Sequence, residues 1–236
     1  MSLDGLATSS CRLITDILAM FPFRLCQPRG RPLNILCLGA HSDDLEIGCG
    51  GAMMEFLKRY KGTRVCWVVL SALDDRAKEA KLSAEALLRS AAEREVVLGK
   101  FTDSHFPSEL RGVKAFFEQI KRFASPDIIL THHLEDRHQD HRLTAELTWQ
   151  TWRNHLILEY EIPKYDGDLG QPNLYIPLAK GTAARKVRHL LRHFATQKDR
   201  VWFRPDTFDA IMRLRGIECH AVSGMAEAFH VRKAVF

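Results

Sequence analysis

The sequence predicts one α/β domain built on a mostly parallel sheet. Three features carry this expectation. Apolar runs of strand length stand at residues 33–39, 64–70 and 128–131, segments with helical spacing separate them, and Gly, Pro and Asp punctuate the joints. With 236 residues, 46% of them hydrophobic, the chain can build one two-sided core, whereas two domains would each be small. Residues 1–30 therefore read as a helical extension and connector, and residues 31–236 as a single domain.

In the extension, Leu13, Ile17, Leu18 and Phe21 fall at helical spacing ahead of a Pro/Gly/Arg-rich connector. The run 33–39 lies between Pro32 and a turn at His41, and its near-continuous apolar character suits a parallel strand buried on both faces. Gly48, Gly50 and Gly51 then open a helix over 52–60, with Met53, Met54, Phe56 and Leu57 at helical spacing. Their spacing matches neither a dinucleotide fingerprint nor a P-loop, so they read as close backbone approach to a ligand or as tight helix packing.

A second strand covers 64–70, and 77–98, rich in Ala, Leu, Glu and Lys, reads as one long helix ending before Gly99. Another helix spans 112–124. Pro126 and Asp127 break it, and the strand 128–131 then delivers His132 and His133. A helix follows over 143–152. Strands at 156–160 and 174–176 flank a turn-rich loop around Asp166 and Asp168, which reads as a solvated turn in preference to a binder of sugar hydroxyls. Helices cover 183–194 and 205–214, and the closing residues add a last strand. Strand-helix alternation implies right-handed crossovers, with ligands at the carboxyl ends of the strands.

Composition narrows the setting. Cys11, Cys26, Cys37, Cys49, Cys66 and Cys219 form no C-x-x-C pair and read as free thiols, which favours the cytoplasm. Asp16, Pro22 and Arg24 interrupt the apolar stretch 13–25, and Asp4 precedes it, so neither a signal peptide nor stable membrane insertion is expected. The formal charge of +5 is uneven: residues 176–236 hold 12 Lys or Arg against 5 Asp or Glu. That asymmetry points to an anionic ligand, such as a phosphate on a carrier, or to a solvated helix surface. No basic run is long or aromatic enough to suggest nucleic acid.

The chemistry concentrates in two clusters about a hundred residues apart, His41-Ser42-Asp43-Asp44 and Asp136-Arg137-His138-Gln139-Asp140-His141. Standing alone, an Asp-Asp pair after a strand is a helix cap and a His-x-x-His pair is a surface feature. Two such clusters at strand ends of one sheet make a metal site instead. His41 and Asp44 can share an ion while Asp43 faces a water, and His141, or alternatively His138, completes three ligands with one position open. Asp43 is then the candidate general base. His138 suits the oxyanion and the leaving group as an imidazolium, with Asp140 accepting a hydrogen bond from its ring.

Ala40-His41-Ser42-Asp43-Asp44 with Ile47-Gly48-Cys49-Gly50-Gly51 resembles the first motif of the PIG-L/LmbE-like deacetylases, and Thr131-His132 with Asp136-x-His138-x-Asp140-His141 resembles the second. The resemblance implies a Rossmann-like three-layer α/β sandwich and zinc-dependent removal of an N-acetyl group from an N-acetylglucosamine-like conjugate by zinc hydroxide. It assigns zinc to His41, Asp44 and His141, one ion per chain, and catalysis to Asp43, His138 and Asp140. Iron or cobalt suits the same donors. Asp103, in Phe-Thr-Asp-Ser, resembles a position that contacts sugar hydroxyls, and Arg76 and Arg213 are the candidates for anionic groups of the substrate. The stretch 160–169 and Arg213-Leu-Arg215-Gly resemble a bacterial branch linked to surface polysaccharides or secondary-metabolite sugars.

Two departures stand out: Ser42 replaces the usual proline, and Leu45 stands where many members have a carboxylate, with Glu46 next. The expected partner is an amino-sugar substrate, on an anionic carrier or free, and homo-oligomers are compatible with the sequence. The competing readings are a two-metal phosphoesterase, which needs more ligands than the clusters supply, and a carbohydrate- or metal-binding protein without turnover, which has no use for a base beside its metal.

Overall fold

The computed structural model describes residues 31–235, so the helix expected around Leu13 to Phe21, together with Cys11 and Cys26, lies outside the described residues. In chain order the elements are β1 (Asn34–His41), α1 (Asp44–Arg59), β2 (Arg64–Ser71), α2 (Asp74–Leu87), β3 (Glu93–Leu98), α3 (Leu110–Phe123), β4 (Ile128–His132), α4 (Gln139–Thr151), β5 (Leu156–Tyr160), β6 (Leu174–Pro177), α5 (Thr182–His193), α6 (Pro205–Glu218) and β7 (Ala226–His230).

They form a seven-stranded sheet in the order β3-β2-β1-β4-β5-β7-β6. The first five strands are parallel, and β7 and β6 extend the edge in antiparallel fashion. From β1 the chain winds outward to β2 and β3, then returns to β4 on the other side of β1. That reversal between β1 and β4 opens the crevice in which an open α/β sheet binds its ligands.

Alternation along the central strands divides the core into two layers. Ile35 and Cys37 of β1, with Val65, Trp67 and Val69 of β2, face α1, α2, α5 and α6. Leu36, Leu38 and Ala40, with Val68 and Leu70, face Val113, Phe117 and Ile120 of α3 and Leu147 of α4. Burial on both faces is why β1 and β4 read as nearly unbroken apolar runs. The expected three-layer, mostly parallel sandwich is therefore the observed one.

Two expectations need correction. The helix over 77–98 is instead α2 followed by β3, which pairs in parallel with β2 from Arg64↔Glu93 to Val69↔Leu98. Glu93-Arg94-Glu95 carries helix-forming charge, but β3 is an edge strand with one side open to water, where charge is tolerated and discourages edge pairing. The first helix also starts earlier, at Asp44, and holds Gly48, Gly50 and Gly51 inside it.

Gly48 and Gly51 serve packing. A Cβ on Gly48 would lie 2.2 Å from the ring of Tyr160, whose hydroxyl donates to the Leu38 carbonyl at 2.8 Å. At Gly51 a buried ion pair enters the helix. Glu227 accepts from the N–H groups of Gly51 and Ala52 at 2.8 and 2.6 Å, and Lys186, 2.6 Å from Glu227, donates to the Ile47 carbonyl. The pair thus takes up backbone groups that an uninterrupted helix would join to each other.

Gly48→Ala is expected to lower stability by about 1–3 kcal/mol through overpacking. Gly50→Ala, where a Cβ would meet its nearest neighbour at 3.6 Å, is expected to gain up to about 1 kcal/mol from helix propensity. Urea unfolding midpoints of the two variants check this, and equal effects would contradict it.

Candidate metal and catalytic centre

Two strand ends and two helix starts supply the centre. β1 ends on His41, and the chain turns through Ser42 and Asp43 into the first turn of α1, which carries Asp44. β4 ends on His132, and Asp136 to His138 lead into α4 with Asp140 and His141 in its first turn. Nδ1 of His138 caps α4, accepting the Asp140 N–H at 3.3 Å.

Three side-chain atoms close a triangle. His41 Nδ1 lies 3.1 Å from His141 Nε2 and 3.3 Å from Asp44 Oδ2, and the latter two are 3.5 Å apart. Donors bound to a tetrahedral ion at about 2.0–2.2 Å are separated by about 3.3–3.6 Å, so the set fits a zinc-sized cation. The outer ring nitrogens meet carboxylates: His41 Nε2 lies 3.2 Å from Asp140 and 3.1 Å from Asp103, and His141 Nδ1 lies 3.0 Å from Asp136. Such partners hold each ring in the tautomer that leaves its inner nitrogen free to ligate.

The electrostatics agree with the donor chemistry. Burial pushes His41 down, but its hydrogen bonds to the accepting carboxylates of Asp103, Asp140 and Asp44 outweigh it and hold its pKa well above the ordinary value. Burial pushes Asp44 up, but His141 and His132 override it and hold the carboxyl well below its usual range. Burial and His132 push His141 down to about 4, which favours the neutral ring that a cation takes as a donor, beside an Asp44 carboxylate that stays ionised.

Beside the triangle lies Asp43, 3% exposed. Its Oδ1 receives the Arg76 guanidinium at 2.9 Å, whereas the buried Oδ2 has no hydrogen-bond partner. Burial pushes this carboxyl up, partly offset by Arg76. Ser42 Oγ donates to the Arg76 carbonyl at 3.1 Å, so the residue standing in place of proline ties the turn to α2. His138 stacks on His141 at 4.5 Å between centroids and meets His41 edge-on at 5.0 Å.

The sequence profile of the PIG-L family, described as GlcNAc-PI de-N-acetylase, matches residues 36–152 and so contains both clusters. The protein named uncharacterized deacetylase YaiS of Escherichia coli strain K12 is 30% identical over 143 residues, covering 55% of this chain and 74% of its own. The chain belongs to the PIG-L family. Two solved structures share its fold. N,N'-diacetylchitobiose deacetylase from Pyrococcus horikoshii is 17% identical with a TM-score of 0.64, over 84% of this chain and 83% of its own. GalB, the 4-carboxy-2-hydroxymuconate hydratase of Pseudomonas putida KT2440, is 15% identical with a TM-score of 0.68, over 86% and 98%. A hydratase on this PIG-L-like fold means that the site, not the architecture, must carry the functional argument.

Eight of the nine expected site residues converge in this PIG-L centre: His41, Asp43, Asp44, Arg76, Asp103, His138, Asp140 and His141 are joined by the contacts above. Arg213 is elsewhere, donating to the Gly224 carbonyl at 3.2 Å on the turn before β7. Two details differ from expectation. The Asp140 carboxylate does not support the His138 ring; it meets His41 and accepts the N–H groups of Ser104 and Phe106 at 2.6 and 3.1 Å. Burial and the neighbouring His41 also push His138 down, away from the expected imidazolium, and because its Nδ1 accepts a backbone N–H, Nε2 is the nitrogen left to donate.

Four supporting residues had escaped assignment. Asp136 orients His141 and accepts from Lys164 at 3.0 Å. Lys164 continues to Asp168, which also accepts the Arg137 N–H at 2.7 Å. The loop expected to be a solvated turn thus clamps the second cluster, a role with no signal in its composition. His132 stacks on His141 at 3.9 Å and lies 3.2 Å from Asp44. Its Nε2 accepts the Ala40 N–H at 3.0 Å, which ties the ring to the backbone of β1 beside the triangle. Its place at the end of β4 was the available clue.

Asp136→Asn removes the acceptor that fixes His141 and is expected to weaken metal affinity roughly 10–100-fold. Competition against a chelator of known affinity measures this; an unchanged affinity would remove Asp136 from the metal's support.

Proposed function

We propose that this protein removes the N-acetyl group of an amino-sugar conjugate, with one divalent ion held by His41, Asp44 and His141. One observation carries the reading: a buried carboxylate oxygen without a hydrogen-bond partner, Asp43 Oδ2, stands beside a three-donor triangle of tetrahedral size in a member of the PIG-L family. The deacetylases among its relatives support an acetamide as the bond broken.

A zinc-like ion in this triangle supplies Lewis acidity, polarising the amide carbonyl and bringing the pKa of a water to about 7. The chain does the rest. Asp43 Oδ2 accepts the proton of the attacking water, while Arg76 holds Oδ1 and keeps the carboxylate aimed. His138 Nε2–H donates to the oxyanion of the tetrahedral species, its ring fixed by the α4 cap and by His141. The proton taken by Asp43 then goes to the departing amine. Asp103, with its side chain 62% exposed, is at the rim and suits sugar hydroxyls. Asp140 acts through His41, and Arg76 acts on Asp43 in place of an anionic substrate group.

The two-metal phosphoesterase loses support from the same geometry. A second ion bound by Asp44, His132 and His141 would need the His132 lone pair, which the Ala40 N–H occupies. Free Cys37, Cys49, Cys66 and Cys219 support a cytoplasmic setting, and among the described residues no helix is long and apolar enough to cross a membrane.

Acetate release from N-acetylglucosaminides by the metal-loaded protein tests the reading. Asp43→Asn is expected to lower kcat by about 100-fold or more with metal content unchanged, and His138→Ala by about 100–1000-fold. Equal release by wild type and Asp43→Asn would remove the assigned base, and no release across a broad panel of acetylated amino sugars would remove the activity.

A further inference from the structure

Away from the catalytic centre, α1, α2 and α5 enclose a groove of about 860 Å³. Its rim carries Lys58 and Lys61 from the end of α1, Arg89 from the end of α2, and Arg185, Arg188 and Arg192 from α5. Among the described residues no carboxylate lines it, and none of the six cations forms an ion pair.

Arg185, Arg188 and Arg192 recur at helical spacing, so they form a stripe about 10 Å long on one side of α5. Like charges at such spacing oppose helix formation. Burial, then His193 and Arg192, push His189 in the groove down to about 4. The groove is also distinct from the catalytic centre on its α1 wall, since Asp44 and Lys58 lie at opposite ends of that helix, about 21 Å apart along its axis.

We infer that this groove binds a small soluble ligand carrying two or more phosphate groups. Its volume falls within the roughly 300–1000 Å³ range of small-molecule sites, and its concavity suits a compact ligand better than a flat membrane. No Phe, Tyr or Trp lines it, so it offers no platform for stacking bases of a single-stranded nucleic acid. A stripe of three guanidiniums faced by two lysines and a further arginine gives bidentate donors to several phosphates at once, which a single phosphate could not use. The uneven charge of residues 176–236 thereby acquires a location, because three of its arginines lie in this stripe.

Calorimetric titration of the full-length, metal-loaded protein with pyrophosphate and with orthophosphate tests the inference. Saturable one-site binding of pyrophosphate, at least tenfold tighter than orthophosphate, is expected. Arg188→Glu with Arg192→Glu is expected to weaken it at least tenfold, and Lys58→Glu with Lys61→Glu to do the same from the opposite wall, each pair folded by its thermal transition. Asp43→Asn is expected to leave pyrophosphate affinity unchanged. Unchanged affinity in both charge-reversal pairs, loss of affinity in Asp43→Asn, or binding to vesicles rich in anionic lipid without binding to pyrophosphate would overturn it.

Discussion

Ile35, Leu36 and Cys37 of β1 pair in parallel with Ile128, Ile129 and Leu130 of β4, and the catalytic centre depends on that ladder. Neither cluster can assemble a cation site alone. His41 and Asp44 arrive on one strand end and His141 on the helix after the other, and only adjacency of the strands closes the gap to 3.1 Å between His41 and His141. A parallel pair needs a long crossover, and here β2, β3 and three helices intervene. The apolar character of β1 and β4 is therefore a functional requirement as well as a packing one: it buries both strands at the reversal in strand order, where the crevice opens.

Once the strands are paired, charge decides the rest. Asp103, Asp136 and Asp140 sit outside the two ligand rings, and Asp44 sits between them. Each outer carboxylate is itself held, Asp140 by two backbone N–H groups and Asp136 by Lys164 and the His138 N–H. Buried charge without such partners would be costly. The loop after β5 contributes through Lys164 and Asp168, so the chain beyond the segment matched by the family profile helps to hold the start of α4.

Much of this was legible in the sequence where a local pattern had one physical meaning. The runs at β1, β2 and β4 could only be buried strands, and His41, Asp43, Asp44, His138 and His141 stood out by spacing. β3 was hidden because Glu93-Arg94-Glu95 favours helix locally while pairing with β2 decides the outcome. The glycines of α1 were ambiguous because their partners, Tyr160 and Glu227, are more than a hundred residues away. For the same reason, Asp140 could be recognised as a supporting carboxylate but not matched to its ring. Sequence neighbours suggested His138, whereas the fold presents His41. Arg76 was visible as a candidate cation for anionic groups of the substrate, but only the turn of α2 toward Ser42 and Asp43 reveals that it pairs with Asp43.

We propose a single cation bound through two imidazoles and the Asp44 carboxylate, with Asp43 outside its ligand set. X-ray absorption spectroscopy on the zinc-loaded protein, together with metal analysis, tests it most directly. One ion per chain, with nitrogen and oxygen donors at about 2.0–2.2 Å, including two imidazoles and no sulfur, is expected. Two ions per chain, or a first shell containing fewer than two imidazoles, would contradict it.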